Sequence, residues 1–501
     1  MYLLGSRMYV KCTRCHVALC LKDAQRCQSS AAHLEQHDFL KGAPHRKHPG
    51  VTNLKTVRLP EQLQVAAQSV LKRADVKSLS EKAHKLSNFL WSRKRATETS
   101  QLREKAVLLE KKFLEQERDI HTDGIDRKLE ARIRKRVLSE LRRTTYHRTP
   151  LRYKCIIVLK QFFIDWGCEV LCVLLDNSAL ISLRCWHVSR YDEDLGLVYM
   201  AARLAGGYAA VLRALNEIKK RDPVFVPYSL LDFGSGLGTG TWASHTLWGD
   251  SLKEYVCVDS SGDMNTLAEQ LLRGGNDVDN PVIKQVYFRQ FLPVSPKVQF
   301  DLVIAAFSLS ELATLDERLN VIFTLWRKTN SYLVLVENGT KDGHQILMEA
   351  RDTILKREDD VKHDLRRPSI FAPCTHELPC PKLIKQHVVP CNFSQFYYPL
   401  PLLKSQERQQ EKLSYLIISR SDEEKPQKTE RWDMARLISQ VRRRPRHVQC
   451  QLCCANGELK QLAVTARCHG KDMYRCARSS DWGDLLPVFH AEDDNTENKT
   501  R

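Results

Sequence analysis

Two apolar periods follow one another along the chain. Residues 60–147 are rich in Leu, Ala, Glu, Lys, Arg and Gln, and their apolar positions recur at helical spacing, as in Leu102, Ala106, Leu109 and Phe113. This predicts a helical domain over 41–148, basic on its outer face and entered through the basic linker 41–50. From residue 231 the pattern changes to short apolar runs. The runs at 231–233, 254–258, 286–291, 300–307 and 331–337 read as strands, while 263–273 and 316–326 have the length and spacing of helices. Alternating strands and helices over 191–365 imply an α/β domain with a parallel, doubly wound sheet and a ligand at the carboxyl ends of its strands. Residues 155–185 are also apolar, but Lys160, Asp165, Glu169 and Asp176 interrupt them. A span needs about 20 mostly uncharged residues, so no membrane segment is expected.

The first strand runs into Asp232-Phe233-Gly234-Ser235-Gly236-Leu237-Gly238, and the second ends in Asp259. Gly234, Gly236 and Gly238 allow a tight turn that a ligand can approach at the backbone. An acid placed as Asp259 can accept hydrogen bonds from both ribose hydroxyls of an adenosine. No Gly-Lys-Ser/Thr follows, so this is not a triphosphate-hydrolysing loop. The loop resembles the D/E-x-G-x-G-x-G loop of class I S-adenosylmethionine methyltransferases, with a Rossmann-like sheet. That resemblance implies S-adenosylmethionine bound by Asp232, the three glycines and Asp259. The turn after the fourth strand departs from it. Ser308-Leu309-Ser310-Glu311 stands where amide or adenine methyltransferases carry Asn/Asp-Pro-Pro-Tyr/Phe, and no cysteine follows to act as nucleophile. Ser308 and Glu311 read as a helix cap pair. Cofactor binding is therefore expected and catalysis is not, so no catalytic residue is assigned.

The chain holds 17 cysteines, unevenly grouped. Cys374, Cys380 and Cys391 lie in one Pro-rich segment beside Pro373, Pro381 and Pro390, and Cys450, Cys453 and Cys454 in a second. Prolines beside sulfur suit rigid loops around an ion. Three thiolates from the first segment and one from the second would make a four-sulfur site for zinc or an iron–sulfur cluster. A single C-x₂-C knuckle, Cys450 to Cys453, favours the cluster over a zinc ribbon. Which of the three later cysteines completes the site is open on spacing.

A net charge of +18 on 501 residues implies an anionic partner. The run Arg442-Arg443-Arg444-Pro445-Arg446-His447 precedes the second cysteine group, and Lys471, Arg475 and Arg478 follow it around Tyr474. Such a surface suits RNA, with phosphates on the cations and an unpaired base stacked on Tyr474 or Trp482. Residues 366–485 are thus expected to form a Cys-rich, basic, RNA-binding extension, and 486–501 a disordered tail. Residues 1–40 have the basic balance of a targeting segment, with Arg7, Lys11, Arg14, Lys22 and Arg26 against Asp23 in the first thirty. Cys12, Cys15, Cys20 and Cys27 also fit a small zinc module.

Long stretches resemble one family. Leu197-Val198-Tyr199-Met200-Ala201-Ala202-Arg203-Leu204, Phe288 to Asp301, Phe371-Ala372-Pro373-Cys374-Thr375-His376-Glu377-Leu378-Pro379-Cys380-Pro381 and Arg443-Arg444-Pro445-Arg446-His447-Val448 are similar to the Rsm22-type assembly factors of the mitochondrial small ribosomal subunit. The resemblance covers roughly 44–148 and 191–485. It implies a matrix protein with a methyltransferase fold that binds S-adenosylmethionine without catalysis and docks on ribosomal RNA and proteins. It also implies a [4Fe–4S] cluster on Cys374, Cys380, Cys391 and Cys453, with zinc as the alternative metal. An active S-adenosylmethionine-dependent rRNA methyltransferase is the competing function, and an iron–sulfur redox sensor a more remote one. Residues 149–190 have no counterpart in the family and read as an unstructured insertion.

Overall fold

The computed structural model describes residues 45–72, 76–92, 99–118, 132–137, 139–140, 191–276, 278–295, 297–312, 314–356, 366–384, 389–401, 407–421 and 434–487. The expectations for 1–40, for 149–190 and for the tail beyond 487 lie outside these residues. Helices α1 (Glu61–Leu71) and α2 (Val76–Ser92) do not have a core of their own. Leu63, Ala66, Val70, Leu79 and Leu86 join the main hydrophobic core, so these helices are a layer of the α/β unit. Helix α3 (Thr99–Arg118) instead packs Ala106 and Phe113 on Ile133 and Val137 in a small separate cluster.

Helix α4 (Glu193–Arg221) is the axis of the molecule. Asp192 caps it by accepting from the Leu195 N–H, and Lys219, Lys220 and Arg221 sit in the last turn, where cations suit the helix dipole. Among the described residues it is the one helix long and apolar enough to cross a membrane, but 72% of that window is buried inside the protein.

The sheet follows as β1 (Ser229–Phe233), α5 (Thr239–Trp248), β2 (Glu254–Val258), α6 (Gly262–Leu272), β3 (Val286–Arg289), β4 (Phe300–Ala306), α7 (Leu315–Arg327), β5 (Thr329–Asn338) and α8 (Lys341–Lys356). Strands β3-β2-β1-β4-β5 pair in parallel in that order. Side chains alternate across the sheet, as strand geometry requires. Leu230, Leu302, Ile304, Val334 and Val336 face the core shared with α4, and Leu231, Val303, Ala305, Leu333 and Leu335 the core under α7 and α8.

The sheet does not stop where the βα alternation stops. After β6 (Arg367–Ala372), helix α9 (Pro381–Ile384) and β7 (Phe393–Tyr397), strand β8 (Gln409–Ser421) inserts between β5 and β6, antiparallel to both. The expected all-parallel sheet is therefore mixed, and three of its strands come from the segment assigned to the Cys-rich extension. The order is 3-2-1-4-5-8-6, with β7 also pairing β8, so a doubly wound parallel sheet is extended by one reversed strand. A second, five-stranded sheet is built from β9 (Met434–Leu437), β10 (Arg442–Arg443), β11 (Val448–Cys453), β12 (Leu459–Val464) and β13 (Leu485–Pro487); the short helix α10 (Ala466–His469) leads into α11 (Lys471–Ser479), which packs against it. Leu486 and Pro487, expected in the disordered tail, close this sheet.

A buried carboxylate holds the two sheets and the N-terminal segment together. Glu217 of α4 is fully buried and takes Arg436 Nη1 of β9 at 2.7 Å, Arg213 Nη1 at 3.4 Å and the Tyr415 hydroxyl of β8 at 2.8 Å. Arg436 also donates to the carbonyls of Pro373 and Gly483, and Arg213 to Thr52 Oγ1. Burial alone would raise the Glu217 pKa, but the Arg436, Arg213 and Arg221 charges outweigh it and hold the carboxyl at about 2. Its stabilisation is therefore complete above its unfolded value of 4.5 and is lost as pH falls towards 2. Glu217→Gln leaves buried guanidinium groups without their anion, which is expected to cost about 3–5 kcal/mol. Urea melts measure this: the deficit should be full near neutral pH and shrink in that acid window.

Candidate functional site

Gly234, Gly236 and Gly238 all have positive φ, +64°, +51° and +75°, so the loop after β1 uses the backbone freedom that only glycine supplies without strain. The Gly234 and Ser235 N–H groups donate to the Val258 carbonyl at the end of β2, and Gly238 begins α5. Asp259 lies beside the loop: Oδ2 accepts from the Gly236 N–H and Oδ1 from the Ser261 N–H, each at 2.9 Å. Burial raises its pKa against those two bonds. Asp232 faces the other way. It is 2% exposed and accepts from the Thr241 N–H and hydroxyl, anchoring the start of α5 from inside. Burial pushes its pKa up to about 6 although both Thr241 bonds oppose the rise. Gly234, Gly236 and Gly238 thus form one loop with Asp259 beside it, and Asp232 supports that loop through the buried start of α5.

The turn after β4 presses on this loop. A Cβ on Gly234 would stand 2.4 Å from Ser308 Cβ, and Phe307 adopts φ +60° to make the bend. The Ser235 and Ser308 hydroxyl oxygens are buried there without a hydrogen-bond partner among the described residues. The expected Ser308–Glu311 cap pair does not form. Ser308 makes no side-chain cap bond, and Glu311 Oε1 accepts from the Tyr191 hydroxyl at 3.0 Å. The capping box falls one turn later, on Thr314 and Glu317 at the start of α7. Tyr191 also gives its carbonyl to Ser261 Oγ at 2.6 Å, so the lead-in to α4 bridges the β2 and β4 turns.

A second site lies beside β8. Cys374, Cys380, Cys391 and Cys453 line one cavity with His344, Met348, His376, Lys382, Tyr415 and Ile438. The first two thiols sit on the loop between β6 and α9, the third just before β7, and the fourth at the end of β11. Strand alternation separates the candidates in that last group. Cys450 and Leu452 point into the core of the second sheet, Cys453 points the other way, and Cys454 just past the strand end is buried in that same core. The period of two in β11 was the signal for this, hidden because the segment did not read as a strand. Burial raises the Cys374 thiol to about 11 and the Cys391 thiol to about 12, and it raises Cys453 further. His376 Nε2 stands 3.4 Å from Cys453 Sγ, and His344 Nε2 3.7 Å from Cys380 Sγ. Desolvation lowers the pKa of both imidazoles, His344 to about 4. Among the described residues no three His, Cys, Asp or Glu side chains are drawn tightly enough to clasp one ion.

The basic run borders the second sheet. Arg442, Arg444, Arg446, Lys471 and Arg475 are exposed. Arg443 is tied to the end of α11 through the Arg478 and Ser480 carbonyls. Tyr474 is half-buried, with its hydroxyl on the Pro445 carbonyl. Trp482 is not presented for stacking, since it packs against the main core and its carbonyl holds Asn53.

The family model described as "Mitochondrial small ribosomal subunit Rsm22" matches residues 194–487. The chain is 46% identical over 451 residues to the human "Ribosome assembly protein METTL17, mitochondrial", covering 90% of this chain and 87% of that protein. It is 25% identical over 329 residues to the Schizosaccharomyces pombe "Rsm22-cox11 tandem protein 2, mitochondrial", covering 58% of this chain and 43% of that protein. Among solved structures, a magnesium protoporphyrin IX methyltransferase from Synechocystis with bound S-adenosylmethionine aligns at a TM-score of 0.25 and 14% identity, over 43% of this chain and 80% of that one. A likeness that slight transfers neither ligand nor activity.

The loop geometry sets a test. Gly234→Ala combines a left-handed backbone cost with overpacking against Ser308, an expected loss of about 2–4 kcal/mol. Adding Ser308→Gly should return the overpacking part and leave about 1–2 kcal/mol. Thermal melts of the single and double variants measure both, and no recovery in the double variant would refute the contact.

Proposed function

The chain belongs to the Rsm22 family of mitochondrial small ribosomal subunit proteins, and from that premise we propose that it is a mitochondrial matrix factor that binds the maturing small subunit, rRNA included, and supports its assembly. The observation that carries this reading is the reach of the family match, which takes in both the glycine loop and the second sheet with its cysteine and basic run.

Two cofactors belong to the proposal. The glycine loop and Asp259 are suited to S-adenosylmethionine: the positive-φ glycines open the backbone, and Asp259 is at the end of β2, where an acid reaches a ribose. The thiol cavity is suited to a [4Fe–4S] cluster on Cys374, Cys380, Cys391 and Cys453. Zinc, which needs every sulfur about 2.3 Å from one ion, is the alternative metal at these four cysteines, which line one cavity. Such a cluster would join the large sheet, which supplies three ligands, to the second sheet, which supplies one. The cationic face of Arg442, Arg444, Arg446, Lys471 and Arg475 would meet phosphates.

In this reading the methyltransferase fold is a scaffold without transfer chemistry. At the turn after β4 the Glu311 carboxylate is engaged by Tyr191 and the backbone is pressed against Gly234, so the reading places no acid or base there. Labelled S-adenosylmethionine with precursor small-subunit RNA is expected to give no incorporation. Incorporation abolished by Gly234→Arg would establish the enzyme instead.

The alternation in β11 distinguishes two cysteine variants. Cys453→Ser is expected to lose the metal and co-sedimentation with the small subunit. Cys450→Ser is expected to keep both while losing about 1–3 kcal/mol of stability from a hydroxyl placed in an apolar core. Equal metal content in the two variants would contradict the assignment.

A further inference from the structure

The thiol cavity contains one charge without an evident counterpart. Its lining includes no Asp or Glu: beside the thiols stand apolar side chains such as Leu347, Met348 and Ile438 and the polar His344, His376, Ser414 and Tyr415. Yet Lys382 is part of it and is only 9% exposed. Lys382 follows Cys380 by two residues in the first turn of α9, and its Nζ donates to the Pro390 carbonyl at 3.1 Å, next to Cys391. The side chain therefore links the backbone next to Cys380 to the backbone next to Cys391. Arg351 and Arg436 also lie close to these sulfurs, but each has an acid, Asp352 at 2.9 Å and Glu217 at 2.7 Å. No carboxylate is within ion-pair distance of Lys382 among the described residues.

Burying an ammonium without an anion costs several kcal/mol. A carbonyl oxygen offsets only part of that. The anions this cavity can supply are its own thiolates, and four thiolates around either a [4Fe–4S] core or a zinc ion carry a net negative charge. We propose that Lys382 is the counter-cation of the thiolate-bound group, a positioning residue that bridges the Cys380 and Cys391 ends of the loop and governs how firmly the group is held and, for an iron–sulfur cluster, how readily it accepts an electron. This rests on the metal reading of the cavity. One further electron makes the group more negative and strengthens its attraction to a fixed cation, so Lys382 favours the reduced state, as charges beside such clusters do.

The test uses the full chain, purified and reconstituted anaerobically with iron and sulfide, and its Lys382→Met and Lys382→Arg variants. Iron and labile sulfide per chain, the rate of bleaching by excess chelator and the midpoint potential are measured for each. Lys382→Met should bleach several-fold faster, most of all after reduction, and its midpoint should shift to lower potential. Lys382→Arg should stay within about two-fold of the parent, since it keeps the charge. If Lys382→Met does not fold, Lys382→Gln keeps a donor for the Pro390 carbonyl and carries the same expectation. Parent-like bleaching and potential in the neutral variant would overturn the proposal. A parent that holds zinc and no sulfide would defeat the cluster reading alone. The proposal is then judged on zinc release, which must be faster from the neutral variant and would refute it if unchanged.

Discussion

The carboxylate of Glu217 is the constraint on which the rest of the molecule depends. It is a charge fully buried near the C-terminal end of helix α4, and such a charge is tolerable only when its partners are in place. Those partners come from segments far apart in the chain. Arg436 comes from the second sheet, Tyr415 from the reversed strand of the first, and Arg213 from the same helix while it also holds Thr52 of the N-terminal segment. Arg436 in turn reaches the carbonyl of Pro373, the residue before Cys374, and it pairs across the β9–β11 ladder with Cys453. One buried ion pair therefore fixes the distance between the cysteines of the large sheet and the cysteine of the small one.

That arrangement gives the two candidate sites different characters. The glycine loop lies within the large sheet, and its acid accepts from the Gly236 and Ser261 N–H groups, while the Ser235 and Ser308 hydroxyls beside it have no partner among the described residues. The thiol cavity exists only where two sheets meet. A group bound there adds a covalent tie parallel to the Glu217–Arg436 pair, and it lies on the same small sheet as the exposed arginines. Assembly on an anionic partner would thus draw on a surface whose position is set by buried chemistry behind it, not by the methyltransferase fold itself.

The sequence carried the parallel half of the fold because each strand there is an apolar run closed by a loop, and the observed limits of β2, β4 and β5 lie within two residues of those expected. The rest was obscured for identifiable reasons. Strand β8 is broken into by Glu411, Lys412 and Arg420, charges that become legible only once Arg203 and the Thr329 carbonyl are seen to meet two of them. Helices α1 and α2 have the periodicity of an independent bundle, and nothing local says that their apolar stripe faces another unit. The four cysteines are separated by up to 79 positions, and only the alternation of β11 distinguishes Cys453 from its neighbours. Glu217, Lys382 and Tyr191 gave no motif at all, because their roles depend on partners distant in the chain.

The central claim is that four thiols from two sheets form one metal centre. Metal and acid-labile sulfide analysis of the anaerobically purified full chain, read with its visible absorption, tests it most directly. The account predicts iron and labile sulfide in equal amounts with a broad thiolate-to-iron band, all lost together in Cys453→Ser. Stoichiometric zinc with no sulfide would contradict the cluster, and a chain free of any metal would contradict the centre itself.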